Sequence, residues 1–375
     1  MNRDFTEPVW VLVVALVVCA ACVFRIRALG GKSLPRWRRV SERVALSVVI
    51  MIAAAAGVSA IFNAVASRHF FEVHPVPGNF YVVGGHRMHL YCTGQGSPTI
   101  ILDAGLGFDS LIWVNVQAEL SKTTQVCSYD RAGFGWSDPR PGPRDADHIA
   151  VDLHGLLSAA GVAGPIVLVG HSIAGLYIRE YAARYPANLA GLVFVDASTP
   201  LQDDRFPAEL RNEASWFEFF KLKWISVLGI PRLMGQCTHG EISGLGGQMI
   251  AEDQCRCSLV PAVEEESDAF RQSGNETVHT GPFGDLPILI FSQDPDSPAP
   301  ELSVKTAKQV SVIWNEMQED LKRLSTHSRR IIAKGSGHFV FLDRSELFDQ
   351  EVANFIGEVR GKAAKGADYG STKVE

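Results

Sequence analysis

Pro165-Ile-Val-Leu-Val-Gly-His-Ser-Ile-Ala-Gly175 is an apolar run that stops abruptly at a serine set among small residues. A buried strand that turns directly into a helix passes through a cramped corner, and Gly170, Ala174 and Gly175 are small enough to allow it. Ser172 then stands at the tip of the corner, where its hydroxyl can meet a base and a substrate together. The same short pattern also arises on ordinary strand-to-helix turns, so residues further along the chain decide its meaning.

Two later runs supply them. Leu286-Pro-Ile-Leu-Ile-Phe291 ends in Ser-Gln-Asp-Pro-Asp, which puts Asp294 and Asp296 just beyond a strand. Arg330-Ile-Ile-Ala333 is followed by Lys-Gly-Ser-Gly-His338, a histidine on a glycine-rich loop. Each group follows the carboxyl end of an expected parallel strand, the edge along which open α/β sheets gather their sites. The three residue types suit nucleophilic catalysis: Ser172 attacks, His338 carries the proton, and a carboxylate fixes the imidazole. Asp294, two residues past Ser292, is expected to be that carboxylate. Asp296 is the first alternative, and Asp196 after Leu192–Val195 the second. Asp130 and Arg131 are expected to pair with each other in the turn after Val126–Tyr129, and His171 to line the elbow.

With Ser128-Tyr-Asp-Arg-Ala-Gly-Phe-Gly-Trp-Ser137 added, the motifs over about residues 75 to 360 resemble the α/β-hydrolase superfamily. Gly170-His-Ser-Ile-Ala-Gly175 is similar to its nucleophile elbow, and Gly337-His338 to its histidine loop. The resemblance implies a mainly parallel, doubly wound sheet in strand order 1-2-4-3-5, an inserted helical cap, and oxyanion donors at the backbone N–H groups of Leu106 and Ile173. It also implies acyl transfer with no cofactor, on a small-molecule ester or lipid-like substrate. This chain departs from the pattern in three places. Ala174 replaces the second glycine of the elbow, Ser292 stands where glycine often precedes the acid, and Asp103-Ala-Gly-Leu106 stands where His-Gly is common. Serine rather than aspartate at the elbow argues against epoxide-hydrolase and dehalogenase chemistry. An aminopeptidase, a cofactor-free perhydrolase and a non-catalytic binding module on the same fold stay open, because a fold does not fix the acyl donor or acceptor.

The first 70 residues read differently. Val9–Phe24 is an uncharged apolar run, and Val44–Ala66 is another, interrupted only by Ser47, Gly57, Ser59 and Asn63. The second would span about 34 Å as a helix, enough for a hydrocarbon layer of about 30 Å; the first would reach about 24 Å. Two transmembrane helices, at about 9–28 and 44–66, are expected; the rival is one helix plus a cleaved or interfacial segment. Arg25, Arg27, Lys32, Arg36, Arg38, Arg39 and Arg43 fall between the runs, against Glu42 alone. Basic connectors stay on the cytoplasmic side and lean on anionic headgroups, which would send the chain after Arg68 to the extracytoplasmic side. A nucleic-acid partner does not fit, since the segment is hemmed in by apolar runs and the formal net charge is −6.

The expected organisation is a membrane region over 1–70, a core over 75–197 and 285–360, a cap over 198–284 and a disordered tail over 361–375. Most of the aromatic cluster from Trp216 to Trp224 is expected to pack the cap onto the core, the alternative being that it lines an apolar acyl or alcohol pocket. Cys92 and Cys127 fall on neighbouring strands in the family order, so either a bridge or two buried thiols fits. Cys237, His239, Cys255 and Cys257 match no common zinc spacing, which leaves a bridge from Cys237 to Cys255 or Cys257 as the better reading and no metal.

Overall fold

The computed structural model describes residues 3–31, 34–75, 77–207, 216–238, 244–297, 302–361 and 371–375. The chain divides into two compact units, one formed by residues 1–76 and 215–261, the other by 77–214 and 262–375. In chain order the helices are α1 (Arg3–Ala28), α2 (Arg36–Val73), α3 (Val114–Leu120), α4 (Ala146–Ala159), α5 (Ala174–Arg184), α6 (Gln202–Arg205) and α7 (Trp216–Val227). They continue with α8 (Ile230–Leu233), α9 (Gly244–Gln254), α10 (Val260–Asp268), α11 (Phe270–Thr277), α12 (Val304–Asp320), α13 (Val340–Asp343) and α14 (Ser345–Val359).

Among the described residues, the second unit is built on one nine-stranded sheet in the order β1-β2-β4-β3-β5-β6-β7-β8-β9. Its strands are β1 (Asn79–Val83), β2 (His86–Thr93), β3 (Thr99–Asp103), β4 (Val126–Tyr129), β5 (Ile166–His171), β6 (Leu189–Val195), β7 (Ile288–Ser292), β8 (Ser328–Ile332) and β9 (Thr372–Val374). The pairs β1–β2 and β2–β4 are antiparallel, and all pairs from β4 through β9 are parallel. Every residue of β3, β4, β5 and β7 is buried. That explains why these strands read in the sequence as continuous apolar runs rather than alternating ones: helices cover both faces of a parallel sheet. Cys92 and Cys127 are directly opposed on β2 and β4 and form a disulfide.

Two expectations need correction. Where it is described, the tail is ordered: Thr372–Val374 pairs in parallel with Arg330–Ile332 and becomes the edge strand, covering three residues of β8 that would otherwise present unpaired backbone groups, while residues 362–370 lie outside the described residues. The stretch 198–284 is not one cap. Its ends, with α6, α11 and most of α10, belong to the sheet unit, and Ala146 N donates to Ser273 Oγ of α11 at 3.0 Å. Its middle, 215–261, belongs with the amino-terminal helices.

In that helical unit α1 and α2 pack closely, and both are long and apolar enough to cross a membrane. Gly57, Ser59 and Asn63, three of the interruptions in the second apolar run, have specific partners there. A Cβ on Gly57 would lie 3.2 Å from Ala15 and Leu12, so the glycine lets α1 approach. Ser59, Asn63 and Ser67 recur every four residues and therefore share one face of α2. Ser59 Oγ donates to the Leu228 carbonyl at 2.6 Å, Asn63 Nδ2 to the Ser226 carbonyl at 3.0 Å, and Ser67 Oγ to Glu252 Oε1 at 2.6 Å. Arg232 closes the network, with Nε donating to Asn63 Oδ1 at 2.7 Å and its guanidinium paired with Glu252. A disulfide joins Cys237 to Cys255 in the same segment, Cys257 stays a buried thiol, and His239 lies outside the described residues.

On the sheet unit, Asp349 of α14 is half-buried and faces Glu119 of α3. Burial, with help from Glu119, pushes its carboxyl up to about 7. Unfolded, it titrates near 3.9, so the stability present at acid pH is lost as pH rises from about 4 through about 7. Asp349→Asn removes that loss. Solubilised wild type and variant should melt together at pH 4, and the variant should lead by about 1–2 kcal/mol at pH 8, the linkage value being reduced by the solvent that reaches the carboxyl.

Candidate active site

Ser172 follows β5 directly, with φ of 55°, a left-handed conformation held by its surroundings. Its N–H donates to the Val195 carbonyl at 3.1 Å, and its carbonyl accepts from Gly175 N at 2.9 Å and Ser198 N at 2.8 Å. The small neighbours are required. A Cβ on Gly170 would meet the Ala174 carbonyl at 2.8 Å, and one on Gly175 would meet the Ala197 Cβ at 2.5 Å. At position 174 the alanine is accommodated with its side chain fully buried. The N–H of Ile173 heads α5, where the first amides of a helix have no acceptor within it.

The carboxylate facing His338 is Asp196, not Asp294. His338 Nδ1 lies 2.7 Å from Asp196 Oδ2, and Asp196 is fully buried at the end of β6. Its other oxygen accepts from Gln293 N at 3.0 Å and from Trp314 Nε1 at 2.8 Å. The register gives the reason. β6 lies between β5 and β7, with His171 opposite Val195 and Val195 opposite Phe291, so the residue after Val195 emerges beside the elbow. Asp294 lies one strand further out and serves its own loop. It accepts from Gly335 N at 2.9 Å, Lys334 Nζ at 2.9 Å and Asp296 N at 3.0 Å. Asp296 is solvent-facing and pairs with Lys334 at 3.1 Å.

His338 is the histidine the sequence points to, with its side chain 37% exposed and so open to a ligand. Because a carboxylate can only accept, the proton on Nδ1 belongs to the Asp196 hydrogen bond, and the neutral imidazole keeps its acceptor at Nε2. His171 ties the two loops together: its Nε2 donates to the His338 carbonyl at 3.1 Å and its ring lies 4.6 Å from the His338 ring. Burial, and then the nearby His338, hold His171 well below the ordinary histidine range. It is neutral at physiological pH and positions rather than titrates.

The loop after β3 is braced by groups that the sequence left unassigned or paired differently. Asp130 and Arg131 do not pair with each other, since consecutive residues leaving a strand point to opposite faces. Asp130 pairs with His89 at 3.0 Å and accepts from Ser110 N and Trp136 N. Burial would raise its carboxyl, but His89 and these amides outweigh that and hold it low. Arg131 is buried between Asp103 at 2.9 Å and Glu266 at 2.8 Å. Its guanidinium also donates to the carbonyls of Ala104 at 2.6 Å and Gly105 at 3.0 Å. Asp103, where His-Gly is common, is thus an anchor for the loop that carries the Leu106 N–H. Burial pushes its carboxyl up to about 6 against the opposing pull of Arg131. Gly105 allows that loop to lie on the elbow, since a Cβ there would sit 2.8 Å from His171 Nδ1 and 3.3 Å from Ser172 Cβ. Leu106 and Phe270 pack beside Ile173 and Leu176, Phe108 meets Phe339 edge-on at 5.4 Å, and Trp314 lies 6.0 Å from His338. The surroundings of the serine and histidine are therefore largely apolar. Trp314 and Glu266 had no local motif to announce them, whereas a charged Asp103 ending a buried strand was itself a sign of a buried partner.

A model of the alpha/beta hydrolase family matches residues 100–351. The chain belongs to the alpha/beta hydrolase family. It is 37% identical over 299 residues to the probable transporter efuK of Hormonema carpetanum, covering 75% of this chain and 43% of that one. It is 31% identical over 268 residues to the uncharacterized protein YqjL of Bacillus subtilis, covering 71% of this chain and 87% of the relative. Among solved structures it resembles a thermophilic esterase from Thermogutta terrifontis, with a TM-score of 0.52 and 21% identity over 76% of this chain and 99% of the esterase, a likeness of fold alone. The chain spans about half the length of several curated relatives it matches.

Replacing Arg131 by Met would strand two buried carboxylates. We expect Arg131→Met to lower the unfolding free energy by about 3–5 kcal/mol, measured by denaturant titration at pH 8, with a smaller loss at pH 5 where Asp103 takes up a proton.

Proposed function

We propose that this protein is a membrane-anchored serine hydrolase that cleaves carboxylic esters through Ser172, His338 and Asp196. The observation that carries the reading is the 2.7 Å contact of His338 Nδ1 with the buried Asp196, next to a serine in a left-handed elbow. Ser172 Oγ attacks the ester carbonyl as its proton passes to His338 Nε2. The tetrahedral oxyanion faces the N–H groups of Leu106 and Ile173, donors of a kind that lower the barrier by about 2.7–4 kcal/mol each. His338 then protonates the leaving alkoxide, and an acyl-Ser172 ester and an alcohol result. Water, deprotonated by the same nitrogen, attacks the acyl group, and the carboxylic acid leaves as Ser172 recovers its proton. Asp196 holds the imidazole tautomer and stabilises the imidazolium in both halves. The apolar residues Leu106, Phe108 and Phe339 favour an apolar acyl or alcohol group.

Anchoring rests on the two long apolar helices. The arginine-rich connector favours a cytoplasmic loop and an extracytoplasmic catalytic unit, and the two disulfides suit that compartment.

Two measurements test these statements. With p-nitrophenyl esters of rising chain length, Ser172→Ala should be inactive, and Asp196→Asn should lower kcat by up to about four orders of magnitude by analogy with the serine-protease triad. Asp294→Asn should stay within a few-fold of wild type. A large loss at Asp294 with little at Asp196 would reverse the acid assignment. For topology, alkaline phosphatase fused after Arg68 should be active; a silent fusion there, with a bright cytoplasmic reporter, would overturn the extracytoplasmic placement.

A further inference from the structure

The segment between the two halves of the sheet unit carries an apolar face that its own unit does not cover. In α7, Phe219 and Val227 point inward, and Val227 clusters with Ala60 of α2, with Val11 of α1 packed alongside. Trp216, Phe217, Phe220 and Trp224 fall within an arc of about 100° on the helix and are exposed, and that side becomes buried only at the carboxyl end, at Val227; Leu222 and Ile225 are exposed on other sides. Trp216 is 71% exposed and Phe217 and Phe220 about half exposed. The rings form a continuous ridge, with centroids 5.9 Å apart from Trp216 to Phe220 and 6.1 Å from Phe220 to Trp224. Leu233 and Met234, at and just after the end of α8, add to the exposed apolar surface, at 64% and 68% exposed. Soluble surfaces scatter such residues singly; a contiguous patch of this kind marks an interaction site.

Its height along the apolar helices identifies the partner. Lys223 of α7 pairs with Glu7 at 3.1 Å, and Arg256 pairs with Asp4 at 3.0 Å, both at the amino-terminal end of α1. On α2 the partners of the same segment begin at Ser59. At the opposite end of the helix pair Arg25 bridges to Glu42. The stretches free of these polar contacts, residues 9–24 and 44–58, are each about 23–24 Å long as helices, several ångströms short of a hydrocarbon layer of about 30 Å. Tryptophan and phenylalanine backed by lysines, at the end of such a span, have the composition of a membrane interface belt.

We infer that the exposed aromatic face of α7 docks into the headgroup–acyl boundary of the lipid bilayer, on the side of the membrane where the amino terminus of α1 ends. The face completes the apolar collar that the two short spans begin. It deepens the proposed reading of a membrane-anchored enzyme and rests on its anchoring part, not on its catalytic part. A second copy of the chain is the competing occupant.

The test uses the full-length protein in phosphatidylcholine vesicles containing a phosphatidylcholine whose acyl chain carries a diazirine near the headgroup. After irradiation, adducts are mapped by peptide mass spectrometry. Adducts on the peptide spanning 216–227, together with the two spans, support the inference. Adducts on the spans with none on 216–227, or protein–protein crosslinks there in place of lipid, overturn it. No adduct on either span would overturn the anchoring itself. The variant Trp216→Ser/Phe217→Ser/Phe220→Ser should lose labelling on that peptide at least ten-fold while hydrolysing a short soluble ester at the wild-type rate. Loss of ester turnover in wild type would instead strike the catalytic reading and leave the lipid adducts standing.

Discussion

A single buried carboxylate organises the carboxyl edge of the sheet. Asp196 has no solvent exposure, and its two oxygens meet three donors, from His338, Trp314 and Gln293, drawn from three different segments. Taking an ion out of water costs several kcal/mol, which only well-placed hydrogen bonds return. The histidine loop, α12 and the turn after β7 are therefore fixed by what Asp196 needs, and the elbow is fixed from the other side. The Ser172 N–H bonds to the carbonyl of Val195, the residue before Asp196, so Ser172 and Asp196 share a single backbone junction. Backbone strain gathers at the same junction, since Ser172 and Asp196 both have positive φ.

The apolar strands, the elbow and the histidine loop were legible in the sequence because each depends on local rules. Buried parallel strands must be apolar along their length, and a strand-to-helix corner must be small. The carboxylate that meets His338 was not legible in the same way. Asp196, Asp294 and Asp296 all follow strands, and only the sheet order and register decide which one emerges beside the elbow. Arg131 was misassigned for a related reason: its partners Asp103 and Glu266 lie 28 and 135 residues away, and sequence proximity to Asp130 was the wrong guide.

The same distinction runs through the helical unit. Ser59 and Asn63 read as mere interruptions of an apolar run, yet with Ser67 just beyond it they form a stripe that receives hydrogen-bond partners from more than 160 residues away. A periodicity of four is visible in sequence; the identity of what it meets is not. The aromatic cluster around Trp216 was expected to pack the cap onto the core. Instead the described part of this segment clusters with α1 and α2, and most of its aromatic rings face outward.

The central claim is that the elbow holds a serine activated by His338 and Asp196. The most direct measurement is covalent labelling of the native full-length protein with a fluorophosphonate, followed by peptide mapping. The account predicts a single adduct, on Ser172, that disappears when the protein is denatured before exposure to the reagent. A native protein that stays unlabelled, or one labelled at a different serine, would contradict it.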